Sequence, residues 1–280
     1  MNGRVDRRPV LVTGSRGYLG TWVVENLEAD GFVVREFDLS LGDEIGDLPG
    51  VLRAAEDCSA IVHLAAIPHD DVGTPETIMA TNVLGTWHVL LAARAVGAGR
   101  VIHLSSAMAL GIFQSRVMPA RLPIDDDYEA APISPYSLSK RLGEILCATT
   151  SADDGPLSVC LRSTRIVGPD ERSDIGTEVE EQVAARDPIC DFAAWVDVRD
   201  VAEAVRLALT VPLTGHLACL LAADDTIAAI PPRQLLTDIY RSVPWNGGND
   251  AATLVRSTVA RAELGWAPQY RWTGEGDVAA

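Results

Sequence analysis

The sequence predicts an α/β fold in which a doubly wound parallel sheet carries a small C-terminal lobe. Short apolar strand segments alternate with helical segments as far as Arg162, and a glycine-rich run joins the first strand to the first helix. Beyond residue 163 this alternation becomes irregular. We therefore expect a Rossmann-type dinucleotide-binding domain over residues 1–163 and a small substrate-binding lobe over 164–280. Part of the second half, about residues 190–222, is expected to return to the sheet.

The predicted strands are short runs of apolar residues bounded by turn residues, at 9–13, 32–37, 59–66, 100–106 and 157–162. Apolar residues at spacings of three and four predict the helices between them. One begins near Leu19 and stops near Gly31, a second spans 77–96, and a third carries Tyr136. In the second half, helices are predicted at 174–186, 198–209, 233–243 and 257–264.

Composition narrows the classes of function. The net charge of −16 argues against nucleic acid and against an anionic membrane surface as partners. The five cysteines form no C-x-x-C pair, so we expect neither a disulfide framework nor a zinc site, and a reducing cytoplasm fits best. The adjacent residues His69, Asp70 and Asp71 cannot all point one way, and no metal site is expected. No uncharged apolar run approaches the ~20 residues of a membrane span.

The glycine-rich run Gly14 to Gly20 has the context of a dinucleotide site, since it follows a predicted strand and opens a helix. Gly14 permits a tight turn, Gly17 lets the backbone approach a pyrophosphate, and Gly20 lets the helix pack closely. Asp38, at the end of the second strand, would bind the ribose hydroxyls and repel a 2′-phosphate, which favours NAD over NADP. Arg16 opposes this preference, because it could reach a 2′-phosphate. The alternative is a glycine-rich turn that binds no ligand.

Lys140 is the only lysine in the chain, although Lys and Arg together number 23. It follows Tyr136 by four residues, a spacing that places the ammonium and the phenol on one face of a helix. An ammonium there would lower the pKa of the tyrosine and hold a hydroxylated ligand, a role that a planar guanidinium fills poorly. The alternative is a surface lysine that happens to follow a tyrosine.

Several motifs together resemble the extended short-chain dehydrogenases/reductases, the family of NAD-dependent epimerases and dehydratases. They are TGSRGYLG with the following Asp38, HLAA at 63–66, TNVLGT around Asn82, LSSAMALG at 104–111, YSLSK at 136–140, WVDVRDVAEA at 195–204 and ARAELGWAP at 260–268. The resemblance covers nearly the whole chain. It specifies the superfamily closely and the substrate poorly.

The resemblance implies roles for individual residues. Ser106 would polarise the substrate oxygen, with Ser105 as an equally placed rival; Tyr136 would be the acid/base, and Lys140 would hold the nicotinamide ribose. Asn82 would support the cofactor region, or else be a helix cap or surface amide. The implied cofactor contacts are Gly14, Arg16, Gly17, Tyr18, Leu19, Gly20, Asp38, Leu39, Leu64, Ala65, Ala66, Asn82, Leu104, Tyr136 and Lys140.

Departures from the family pattern bear on the reaction. Ala107 and Met108 stand where nucleotide-sugar dehydratases have an acidic pair, which disfavours dehydration, and Leu110 replaces a tyrosine common in sugar epimerases. Only 25 residues separate Pro169 from Trp195, a span shorter than that of enzymes that bind nucleotide diphosphates. In this respect the chain is similar to uronate dehydrogenases.

The substrate contacts implied by this likeness are Pro68, His69, Ser106 and Arg165. Arg165 could bind a carboxylate or phosphate through two parallel hydrogen bonds, or form a surface ion pair with Asp170 or Glu171.

The expected activity is that of an NAD-dependent oxidoreductase acting on a secondary alcohol or ketone carbon of a small sugar-like or sugar-acid substrate. One alternative is a (nucleotide-)sugar epimerase, which returns the hydride to the opposite face. Another, of a different class, is a non-catalytic protein that senses NAD(P). Family members pair two of these helices across a dimer, so a homodimer is expected.

Overall fold

A computed structural model describes residues 8–113, 118–185, 192–248 and 253–272. Its centre is a six-stranded parallel sheet. The strands are β1 (Val10–Thr13), β2 (Val34–Phe37), β3 (Ala60–His63), β4 (Arg100–Ser106), β5 (Leu157–Ser163) and, in the second half of the chain, β8 (His216–Leu221). They lie in the order β2-β1-β3-β4-β5-β8.

This strand order creates the crevice for a ligand. β1 pairs with β2 on one side and with β3 on the other, so the chain changes direction between β1 and β3. In open parallel sheets, ligands bind beyond the carboxyl ends of the strands at such a point. A single helix, α2 (Leu48–Ala55), connects β2 to β3. No other strand lies between β2 and β3 in the chain, and β3 pairs with β1 on the side opposite β2.

Alternation along the strands sends apolar side chains to both faces of the sheet. Val10 and Val12 of β1 pack with α1 (Tyr18–Ala29) and α7 (Val198–Thr210), whereas Leu11 between them packs on the opposite face. That face is covered by α2, by α4 (Gly85–Val96) and by α5 (Pro135–Ala152). Both faces are therefore buried, and the predicted doubly wound α/β fold is confirmed.

A second apolar cluster forms the lobe. It gathers α6 (Arg172–Ala185), α8 (Pro232–Asp238) and a two-stranded parallel sheet of β6 (Arg165–Val167) and β7 (Trp195–Asp197). Residues from the loop after β4, among them Phe113 and Leu122, pack in the same cluster. Of the span expected to return to the sheet, α7 and β8 lie on the central sheet, and residues 190 and 191 lie outside the described residues.

Most predicted helices are present, with three differences. The long helix predicted from residue 77 is built from α3 (Pro75–Ile78), a π-helical turn Met79–Leu84, and α4. The helix predicted over 233–243 ends at Asp238, where the chain turns so that Tyr240 is buried against Phe192, with their ring centroids 5.6 Å apart. The helix predicted over 257–264 is only a π-helical turn, Ala260–Leu264.

Within the described ranges, no helix is long and apolar enough to cross a membrane.

Candidate active site

The glycine-rich loop forms a close-packed cradle at the end of β1. Gly14 has φ +71°, and a Cβ there would lie 2.7 Å from the backbone nitrogen of Ala65. A Cβ on Gly20 would lie 2.1 Å from the carbonyl oxygen of Gly14. Gly17 caps α1 without any side-chain hydrogen bond, so the first amides of that helix remain open to an anion. The loop therefore fits the pyrophosphate of a dinucleotide.

Asp38 closes the adenosine side of this loop. Its Oδ1 accepts hydrogen bonds from the backbone nitrogen and the hydroxyl of Ser40, both at 2.8 Å, and its Oδ2 accepts from the backbone nitrogen of Arg16 at 3.0 Å. Burial alone would raise the pKa of Asp38, but the hydrogen bonds from Ser40 and Arg16 outweigh it and hold that pKa below its usual value. Leu39 beside it is exposed. The acid is therefore charged where ribose hydroxyls would need an acceptor.

A cavity of about 630 Å³ extends from the glycine-rich loop past the ends of β3, β4 and β5. Fourteen of the predicted site residues line it: Gly14, Gly17, Tyr18, Leu19, Gly20, Leu64, Ala66, Pro68, His69, Leu104, Ser106, Tyr136, Lys140 and Arg165. The remaining predicted residues, Arg16, Asp38, Leu39, Ala65 and Asn82, lie outside its lining. Ser105, the alternative to Ser106, also lines it, and six lining residues were not predicted: Ala107, Met108, Phe113, Ser163, Thr164 and Ile166.

Ser106, Tyr136 and Lys140 meet at one wall of this cavity. Ser134 caps α5 and Pro135 starts it, which fixes the direction in which Tyr136 enters the site. The side chain of Ser106 lies near enough to the phenol of Tyr136 to lower its pKa. Lys140 lies one turn further along, with its Nζ 5.7 Å from the centre of the tyrosine ring and donating to the carbonyl oxygen of Leu104 at 2.9 Å. Lys140 is only 4% exposed, which excludes the surface-lysine alternative.

In the protein alone the pKa of Tyr136 is raised rather than lowered, and the lowering by Lys140 expected beside a bound nicotinamide stays a prediction. Burial raises the pKa of Tyr136 to about 12, and the nearby charge of Asp70 adds to the rise, although the side chain of Ser106 opposes it. Burial also lowers the pKa of Lys140 to about 8, against the opposing effects of Cys160 and Glu144. The phenol is protonated at neutral pH, because burial disfavours the charged phenolate.

A buried ion network lies behind these residues and was not predicted. Glu144, one turn after Lys140, accepts from Arg162 Nε at 2.8 Å and from its Nη2 at 2.9 Å. It also accepts from the hydroxyl of Ser105 at 2.7 Å and from Arg141 at 3.0 Å. Ser105 is thereby committed to the network, and Ser106 is the serine that lies beside Tyr136. An arginine in an otherwise apolar strand was the available signal, since such a charge is buried only when paired.

Asn82 ties the strand-end loop to α5. Its Oδ1 accepts from the backbone nitrogen of Ile67 at 2.7 Å, and its Nδ2 donates to the carbonyl of Ile67 at 3.0 Å and to the hydroxyl of Ser139 at 2.9 Å. The side chain is buried, so the helix-cap and surface-amide alternatives are excluded. Asn82 thus acts on the site through the loop that carries Pro68 and His69.

His63 links the end of β1 to the turn of Asn82. Thr86 donates its hydroxyl proton to the carbonyl of Asn82 at 2.6 Å, so it accepts from His63 Nε2 at 3.0 Å. His63 Nδ1 then accepts from the hydroxyl of Thr13 at 2.8 Å. Burial, reinforced by the charge of Lys140, lowers the pKa of His63 to about 3. It is a neutral, buried core histidine.

Arg165 lies where the cavity meets the lobe. Its guanidinium pairs with Glu178 of α6 at 3.0 Å rather than with Asp170 or Glu171, the partners considered from the sequence. Glu171 instead accepts from the hydroxyl of Tyr18 and from the backbone nitrogen of Gly168. The lobe and the glycine-rich loop are therefore in direct contact across the cavity.

Comparison with known proteins gives this site a family. Residues 10–217 match the model of the NAD dependent epimerase/dehydratase family. The chain belongs to this family. It is an NAD-dependent enzyme of the extended short-chain dehydrogenase/reductase type, and the resemblance seen in its motifs is confirmed, as is NAD as the cofactor.

Relatives of the chain differ in their reactions. It is 28% identical to UDP-glucose 4-epimerase of Rhizobium meliloti (strain 1021), with 93% of this chain and 92% of that protein aligned. It is also 28% identical to uronate dehydrogenase of Pseudomonas syringae pv. tomato, with 74% and 71% aligned. Among solved structures, a short-chain dehydrogenase/reductase superfamily protein from Agrobacterium tumefaciens with bound NAD has a TM-score of 0.70 at 23% identity, covering 94% of this chain and 93% of that one. This structural likeness shows the fold.

Proposed function

We propose that this protein is an oxidoreductase that transfers hydride between NAD and a secondary alcohol or ketone carbon of a small sugar-like or sugar-acid substrate. The observation that carries the proposal is the closeness of the Ser106 side chain to the phenol of Tyr136 on the wall of a cavity of about 630 Å³, with Lys140 buried beside them. That cavity also contains the glycine-rich loop, so cofactor and substrate would share one space.

The residues divide the proton chemistry between them. Tyr136, whose pKa is about 12, holds its proton at neutral pH and can give it to a ketone oxygen during reduction. In the oxidation direction Tyr136 must first lose its own proton to solvent. The phenolate then takes the proton of the substrate hydroxyl, and Ser106 orients that oxygen. Lys140 is charged at neutral pH and gives one of its three donors to Leu104, which leaves two for a hydroxylated ligand. NAD, when bound, accepts or returns the hydride.

A small substrate is supported by the short lobe. α6 is the single helix between β6 and β7 in the described part of the chain. It is acidic, because Asp174, Glu178, Glu180 and Glu181 outnumber Arg172. That charge opposes anionic substrates, and it opposes the multiply charged diphosphate of a nucleotide sugar more strongly than a single carboxylate.

Arg165 supports a carboxylate on the substrate. It lines the cavity, and its pair with Glu178 is partly exposed, with side-chain exposures of 27% and 49%. Such pairs contribute only about 0–1 kcal/mol. A sugar acid could therefore compete with Glu178 for the guanidinium, against repulsion from the displaced carboxylate of Glu178.

The second candidate is an epimerase, which is favoured by the alignment of UDP-glucose 4-epimerase over 93% of the chain. An epimerase returns the hydride to the opposite face and shows no net redox. A cofactor-sensing protein without chemistry is a weaker alternative, because Ser106, Tyr136 and Lys140 are all present and lie close together.

The deciding experiment is a panel of free sugars, uronates, polyols and nucleotide sugars incubated with NAD. We expect absorbance of the reduced cofactor to rise with a polyol or sugar acid. Tyr136→Phe should then lower kcat by about 100- to 10,000-fold. Tyr270→Phe is the matched control, since that ring stacks on Arg199 away from the cavity. Near wild-type turnover in Tyr136→Phe would exclude the proposed acid/base.

We also propose a homodimer formed through α4 and α5. These helices and the turn before them expose Leu84, Trp87, Leu138 and Ile145, and an apolar groove of about 430 Å³ lies on the same side. The groove is lined by Met79, Val83, Leu84, Trp87 and Leu146. Apolar patches of this kind mark protein contacts.

A reducing cytoplasm is the proposed location. It is supported by four free, buried thiols, Cys58, Cys147, Cys160 and Cys219. The fifth cysteine, Cys190, lies outside the described residues.

A further inference from the structure

We propose that Glu36 determines the preference for NAD over NADP by pairing with Arg16. The inference rests on NAD binding at the glycine-rich loop and adds a residue to the expected discrimination by Asp38. Arg16 is the basic residue of that loop, between Gly14 and Gly17. Its Nη2 lies 2.5 Å from Glu36 Oε1.

Glu36 and Asp38 act on the same arginine from neighbouring positions. They are two residues apart at the end of β2, a spacing that puts both side chains on one side of an extended chain. Asp38 accepts from the backbone nitrogen of Arg16 at 3.0 Å, while Glu36 takes its guanidinium. Asp38 thus binds the backbone of Arg16 in the loop, and Glu36 binds its side chain. The three charges sum to −1, so this corner of the site is negative despite its arginine.

The intervening cation does not change this balance. Arg35 lies between the two acids in sequence, but its side chain takes the other side of the strand. Its Nη1 donates to the carbonyl oxygens of Ala54 at 2.8 Å and Glu56 at 2.5 Å. Arg35 is thereby bound to the C-terminal end of α2.

The consequence concerns the 2′-phosphate that distinguishes NADP. A guanidinium binds phosphate well through two parallel hydrogen bonds. In this chain the guanidinium of Arg16 is already paired with a carboxylate that a phosphate would have to displace, and the displaced carboxylate would then repel the phosphate. The side chain of Arg16 is 52% exposed and that of Glu36 is 27% exposed, so a ligand can reach the pair. Glu36 therefore converts an arginine that could select NADP into one that does not.

The test measures binding of both cofactors to the whole protein, without substrate. Dissociation constants for NAD and NADP would be determined by calorimetry for wild type, Glu36→Gln, Arg16→Gln and the double variant. Glu28→Gln is the matched control, because it removes one exposed negative charge on α1 without touching Arg16. In Glu36→Gln we expect the affinity for NADP to rise about 10-fold relative to NAD, the scale of one charge-assisted contact.

The double variant separates the two effects of removing Glu36. If the released guanidinium binds the phosphate, Arg16→Gln/Glu36→Gln loses most of the 10-fold gain, and that result supports the proposal. An equal gain with and without Arg16 would overturn it, because loss of repulsion alone would then explain the change. An NADP affinity in Glu36→Gln no different from that in Glu28→Gln would overturn it as well. Wild type that binds neither dinucleotide would instead remove the cofactor site itself, and this inference with it.

Discussion

Replacement of Lys140 by methionine should remove a dependence of the unfolding free energy on pH that the wild type shows. The ammonium is 4% exposed, and burial lowers its pKa to about 8 from an unfolded value of 10.5. Between these two values the unfolded chain binds more protons than the folded chain, so wild-type stability rises with pH across that window. Below it, the folded protein carries the full cost of a buried charge. Methionine has no such cost at any pH.

The size of the effect follows from the two pKa values. A separation of about 2.5 pKa units corresponds to at most about 3.4 kcal/mol of unfavourable free energy in wild type. Between about pH 7.5 and about pH 10, wild type should gain about 2.4 kcal/mol of unfolding free energy relative to Lys140→Met. The lost hydrogen bond to Leu104 opposes the stabilisation by an amount of about 1–3 kcal/mol that does not change with pH. The slope of the difference is therefore the informative quantity.

Urea unfolding followed by tryptophan fluorescence at several pH values measures this slope. All other titrating groups are shared by the two proteins, so the difference between them isolates residue 140. Arg53→Met is the control, since it removes an exposed cation whose charge is constant in this range. If the difference between wild type and Lys140→Met stays constant with pH, Lys140 titrates as an ordinary lysine and its desolvation has been misjudged.

Three further outcomes are expected. Gly20→Ala should weaken NAD binding more than 10-fold in calorimetry, because its Cβ would lie 2.1 Å from the carbonyl oxygen of Gly14; unchanged affinity would contradict the close-packed loop. Asn82→Ala should lower the unfolding free energy by about 2–3 kcal/mol in urea titrations, because it leaves both backbone groups of Ile67 unpaired; a loss below about 0.5 kcal/mol would show that they find other partners. Trp87→Glu should convert a dimer to a monomer in sedimentation experiments, and a wild-type monomer would exclude that interface.

Five of the six strands of the central sheet could be predicted from the sequence, because their signals are local. β8 was not predicted as a strand, and β3, predicted over 59–66, ends at His63. β4 occupies residues 100–106 as predicted, and β1 and β5 differ from prediction by one residue each. The strand before Asp38 is shorter than predicted and begins at Val34. The π-helical turn around Asn82 could not be predicted, since it depends on hydrogen bonds to Ile67 and Ser139. Those partners are 15 and 57 residues away in the chain.

The sequence indicated which residue types form the site, but it did not indicate the pKa values that burial gives them. The spacing of Tyr136 and Lys140 correctly placed them on one helix face, but it carried no information on how far burial would shift both pKa values. The pair of Glu144 and Arg162 joins α5 to β5, and only the folded sheet brings them together. Phe113 and Met108 enter the cavity from the loop after β4, whose course no periodic pattern describes.

One strand, β4, positions both Tyr136 and Lys140. Leu104, whose carbonyl accepts from Lys140, and Ser106, which lies beside Tyr136, are two residues apart on β4, in the segment that pairs with β5. Changes in the lobe can therefore alter which molecule is admitted without disturbing the spacing of the reacting groups. In a fold of this kind, a change of the lobe during evolution can alter the substrate, while the groups positioned by β4 stay in place.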